Sequence, residues 1–151
     1  MARLLHEITL PLKLTNSNEG QTKAWYRTAK QRKEIESMLR DNGHQRQPFA
    51  HPVCLRIVRV LGPKQRLWDA DSILRGSAKQ LIDSLVACGW FVDDKPEWLL
   101  QVLGDQIIDR ANGPAVIVQV YDQPATFVWV QDQRIVSDGG MASGVERQRA
   151  K

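Results

Sequence analysis

Val53-Cys54-Leu55-Arg56-Ile57-Val58-Arg59-Val60-Leu61 is a run of β-branched and aliphatic residues closed by Gly62-Pro63. It lacks the apolar–polar alternation of a strand with one wet face, so it predicts a strand buried on both sides, inside a sheet. Upstream, Leu4 to Leu10 places apolar Ile8 and Leu10 in alternation before Pro11, which predicts another strand. Thr15 to Gly20 is a cluster of turn formers. Gln21 to Arg40 holds no Gly or Pro and predicts a helix. Trp25, Ala29, Ile35, Met38 and Leu39 form its apolar stripe, and Asn42-Gly43 its C-terminal cap.

Downstream of the central run, a loop with Lys64, Arg66 and Trp68 leads to Asp69 and Asp71. Ser77 is the predicted N-cap of a helix over Ala78 to Cys88, with Leu81, Ile82, Leu85 and Val86 on its buried face and Gly89 as its stop. Trp98 to Asp109 predicts a strand in which Gly104 marks a bulge, and Ala115 to Tyr121 predicts another. The turn Asn112-Gly113-Pro114 between them predicts that they pair as a hairpin. Thr126 to Val130 reads as a short edge strand, and from Ser137 onward little remains to bury. Strands and helices interleave without strict alternation. The expectation is one two-layer α+β domain over residues 1–136, a mixed sheet with two main helices, followed by a polar tail at 137–151.

The chain has 151 residues, enough for one domain with a core, and its 42% hydrophobic and 25% charged residues are ordinary for a globular protein. Its apolar runs are too short to span a bilayer, and its start lacks the basic-then-apolar pattern of an export signal. A cytoplasmic protein with no membrane partner is expected. Cys54 and Cys88 have no paired spacing, and His6, His44 and His51 no ligand spacing, so neither a disulfide framework nor a zinc site is expected. Charge is unevenly spread: residues 1–66 hold 13 Lys and Arg against 5 Asp and Glu, and the remainder 8 against 12. A basic half suits a polyanionic partner, because each cation placed on a phosphate releases condensed counterions. Lys23, Arg27 and Lys30 fall at helical spacing on one face, which is either an ordinary solvated face or a phosphate-binding one.

In the acidic half, Asp69 and Asp71 lie two apart, and Asp93-Asp94 follows the second helix. Residues two apart on an extended segment point to the same side, so the first pair can share one hard cation such as Mg²⁺, which prefers oxygen ligands. Taken alone, an Asp-x-Asp before a helix is as readily capping chemistry, and Asp-Asp after a helix a solvated turn.

The segment Asp69 to Pro96 (DADSILRGSAKQLIDSLVACGWFVDDKP) resembles the signature of RusA-type Holliday junction resolvases, phage-encoded relatives included. That signature runs D-x-D-N-L, a lysine, D-x-L, then a glycine, two or three apolar residues and D-D. Asp69 and Asp71 match the first acids, Lys79 with Asp83-Ser84-Leu85 the middle, and Gly89 to Asp94 the close. Ile8 to Pro11 and Thr15-Asn16 are similar to the family's first strand and its S/T-N loop, so the likeness covers most of residues 8–121. Ser72 stands where the family has asparagine, and an ungapped alignment puts Arg75 in place of Lys79. The resemblance implies a homodimeric, Mg²⁺-dependent endonuclease that cuts branched DNA such as four-way junctions. It implies Asp69, Asp71 and Asp94 as metal ligands, with Asp93 the alternative to Asp94. It also implies Lys79 as the cation at the scissile phosphate. Asn16, Lys23, Arg27, Lys30, Lys64 and Arg66 are the candidate DNA contacts. A non-catalytic branched-DNA-binding protein of the same fold is the alternative. A magnesium enzyme of small phosphates ranks below both, because no Gly-rich phosphate loop is present.

Overall fold

The central apolar run forms a strand in the interior of a four-stranded sheet. The structure is a computed structural model and describes residues 2–15, 24–69, 72–74 and 77–124, without the side chains of 24–28 and 77. Its elements are β1 (Leu4–Leu10), α1 (Ala24–Asp41), β2 (Val53–Leu61), α2 (Ser77–Ala87), β3 (Leu99–Ile108) and β4 (Ala115–Tyr121). The domain is α+β, with a mixed sheet and two helices, as the residue pattern predicts. The edge strand expected at Thr126 to Val130 and the tail at 137–151 lie outside the described residues.

The strand order is β1-β4-β2-β3, with β1 and β2 antiparallel to β4 and β3 parallel to β2. The hairpin expected of β3 and β4 is therefore not formed, because β2 lies between them. The cause is α2. It carries the chain back along the sheet, so β3 enters beside β2 in parallel and fills one side of it. β4 must then step across the end of β2 to pair on its other side. The crossing brings backbone onto backbone: a Cβ on Gly113 would sit 2.5 Å from the Gly62 nitrogen, and one on Gly62 2.5 Å from the Gly113 carbonyl carbon. Only glycine at both positions allows that approach.

The face of the sheet toward the helices carries Ile8, Leu10, Leu55, Ile57, Val116, Val118 and Val120, which form one core with Ile35, Leu39, Leu81 and Leu85. The opposite face carries a polar ladder running in strand order. Gln119 donates to Glu7 (2.6 Å), and Arg56 donates to Gln119 (2.8 Å) and to Asp105 (2.5 Å). Both helices end in the same way. Gly43 and Gly89 take left-handed φ values of 72° and 90°, and the amide after each reaches back to Leu39 (2.8 Å) and Leu85 (2.9 Å). The second ending is packed against the chain that leaves α1, since the Arg46 amide donates to the Cys88 carbonyl at 3.2 Å.

Candidate functional site

Lys79 lies in the first turn of α2 with its side chain 58% exposed, and its ammonium donates to two carboxylates, Asp83 Oδ1 at 3.1 Å and Asp94 Oδ2 at 3.0 Å. The Asp83 contact is the ordinary pairing one helical turn apart. The Asp94 contact is not local. It depends on the reversal at Gly89 and on Trp90, which is fully buried and donates from its indole nitrogen to the His44 carbonyl at 2.6 Å. With Trp90 and Phe91 fixed in the core, the chain emerges at Val92 and delivers Asp94 beside the start of α2. Asp93 turns elsewhere: its Oδ1 accepts the Asp94 amide (2.7 Å), and its Oδ2 lies 3.8 Å from Lys95. Of the adjacent acids, Asp94 is therefore the one that faces Lys79.

The Lys79 hydrogen bond first, and the neighbouring Asp93 side chain second, hold the Asp94 carboxyl below its usual range. The same contact, then that with Asp83, pushes the Lys79 ammonium above its usual value. The cluster can thus present a fixed ammonium and an ionised carboxylate side by side at neutral pH.

Asp69 sits exposed at the end of the loop that leaves β2, and its carbonyl accepts the Ser72 amide at 2.9 Å. The loop is held from below by Gln106 and Arg59, which lie outside the expected site. Gln106 of β3 accepts the Trp68 amide on Oε1 (3.1 Å) and donates from Nε2 to the Trp68 carbonyl (2.7 Å). Arg59, buried on β2 opposite Gln106, donates to Gln106 Oε1 (3.1 Å) and to the Arg66 carbonyl (2.9 Å), with its guanidinium 3.7 Å above the Trp68 ring. The available signal was the arginine itself, a charge inside an otherwise apolar run that required a buried partner.

Gly104 is also explained here, and not as a bulge. It pairs in register with Ile57, and the irregularity of the β2–β3 ladder falls at Val53/Cys54. A Cβ at Gly104 would lie 2.7 Å from Ile73 Cγ2, so the glycine makes room for the segment that follows Asp69.

Asp71, Arg75, Asn16 and Lys23 lie outside the described residues, and Arg27 is described in its backbone alone. Among the described residues, no group of three or more acidic, histidine or cysteine side chains forms a metal-holding cluster. Lys30, Lys64 and Arg66 are exposed, and Lys64 has a left-handed φ of 68°. Among the described residues no helix is long and apolar enough to cross a membrane. Compared with known proteins, the chain matches no protein-family model and no curated sequence.

Proposed function

We propose that the protein is a magnesium-dependent endonuclease that resolves four-way DNA junctions in recombination and repair, acting as a homodimer in the cytoplasm. The observation that carries the reading is the meeting of Lys79 with Asp94. These are two separate parts of the RusA-like pattern, 15 residues apart, and they face one another at 3.0 Å. A plain solvated turn after α2 gives no reason for Asp94 rather than Asp93 to face the helix.

In this reading Asp69, Asp71 and Asp94 hold the magnesium, and their donor chemistry, carboxylate oxygen throughout, fits a hard divalent cation. The ion, when bound, activates water and neutralises charge on the phosphate. Lys79 would be the nearby cation for the phosphate oxygens in the transition state, and its contact with Asp83 holds its ammonium independently of Asp94. Lys30, Lys64 and Arg66, with Asn16, Lys23 and Arg27, contact phosphates along the arms. A two-fold pair of chains suits a junction of approximate two-fold symmetry, with one site on each of two opposed strands.

The test is cleavage of a synthetic four-way junction in Mg²⁺ against EDTA. Paired nicks that require Mg²⁺ and vanish in Asp94→Asn support the reading. Tight junction binding with no cutting points instead to the non-catalytic DNA-binding alternative, and failure to bind junctions at all ends both.

A further inference from the structure

We propose that Gln106 and Gly104 of β3 form a seat for the residues on either side of Asp69, with Gln106 acting as a positioning residue for Asp69. This rests on the nuclease reading above and adds to it the part of the fold that aligns the carboxylates. Gln106 and Gly104 lie two apart on one strand, so both face the same side of the sheet, toward the helices. The first grips the residue before Asp69 by both its amide and its carbonyl (3.1 and 2.7 Å). The second receives Ile73 and Leu74, a few residues after it. Trp68, immediately before Asp69, and Ile73 and Leu74, beyond it, therefore rest on the same strand.

The Gln106 contact is specific in its chemistry. Trp68 presents a donor and an acceptor, and the primary amide of Gln106 answers both at once, one from its oxygen and one from its nitrogen. The Gln106 oxygen is also the acceptor for Arg59 (3.1 Å), so its orientation is fixed from two sides. Arg59 in turn lies flat on the Trp68 ring and ties down the Arg66 carbonyl, which removes sliding as well as rotation of the loop. Fixing Trp68 on both backbone groups leaves the next residue little freedom in where its side chain begins. The Gly104 end works by space rather than by bonds. With no Cβ there, Ile73 rests on the strand backbone, and any side chain would lift it.

The test uses full-length protein, with Mg²⁺ binding measured by calorimetry in the absence of DNA, alongside kcat and KM for junction cutting and junction affinity in EDTA. Gln106→Leu and Gly104→Ala are each expected to weaken Mg²⁺ binding about 10- to 100-fold, as for lost supports of metal ligands. They should lower kcat with it and leave KM and metal-free junction affinity near the wild-type values. Gln106→Glu keeps the acceptor and loses the donor, and it should fall between wild type and Gln106→Leu. It also serves where Gln106→Leu does not fold. Folded variants with wild-type Mg²⁺ affinity and kcat, beside a wild-type protein that cuts, overturn the seat alone. A wild-type protein that neither binds Mg²⁺ nor cuts overturns the nuclease reading, and the seat falls with it.

Discussion

Lys79 serves two carboxylates at once, and its solvent exposure limits what that can contribute to stability. With 58% of the lysine side chain exposed, the contacts with Asp83 and Asp94 are worth at most about 1 kcal/mol at neutral pH. Their pH dependence has a definite sign. Asp94 is depressed in the folded state, so its contribution is present above the ordinary carboxylate range and is lost as pH falls through its lowered value. Lys79 is raised, so its contribution is present below the ordinary lysine value and is lost as pH rises through the raised one. Asp94→Asn should therefore make urea stability less dependent on pH at the acid end while changing it little at neutrality. For cutting the expectation is reversed: Asp94→Asn should lower kcat by about 10²-fold or more. Asp93→Asn, which keeps the oxygen that accepts the Asp94 amide, should retain most of the activity. Equal losses in the two variants would contradict the assignment of Asp94 over Asp93.

The helices end alike, yet their glycines are not equivalent. Gly43 and Gly89 share the left-handed conformation, so alanine at either position carries the strain of about 1–2 kcal/mol that a Cβ meets there. A Cβ on Gly43 would find nothing within 4 Å, whereas one on Gly89 would collide with the Arg46 carbonyl oxygen. Gly89→Ala should thus lower urea stability by clearly more than Gly43→Ala, and equal costs would show that the α1–α2 junction yields freely. Both glycines were legible in the sequence as helix stops, and so were all six elements to within a few residues, because local pattern decides them. The pairing of β3 was not legible. An Asn-Gly-Pro turn between adjacent apolar strands reads as a hairpin, and no local signal reports that β2 has taken the intervening place. Gly104 was ambiguous for the same reason: glycine in a strand marks a bulge or a close approach, and the contact that decides it comes from Ile73, 31 positions away in sequence but adjacent in space. Asp69, Lys79 and Asp94 are singled out as candidates only by the RusA-like pattern. Their spacing alone was equally that of caps and turns.

At the scale of the whole molecule, the basic bias of residues 1–66 overstates the charge open to a phosphate. Arg59 is buried, Arg56 is tied to Asp105, and Arg32 and Arg40 share Glu36 at 3.4 and 3.7 Å. Lys30, Lys64 and Arg66 are exposed and have no ion pair among the described residues. Lys64 and Arg66 lie on the loop that leads to Asp69, so DNA held there passes close to the proposed metal site. Each phosphate contact contributes about 0.9 to the slope of log affinity against log salt on duplex DNA. The double variant Lys64→Ala/Arg66→Ala should accordingly flatten that slope by about 1.8 if one chain engages a junction, and by about 3.6 if a two-fold pair does. Cutting at saturating protein should change far less than binding, since neither side chain is placed at the reacting phosphate. A slope that does not change would remove this loop from the DNA interface. A drop near the smaller value, for protein that sediments as a dimer, would mean that only one chain of the pair uses it.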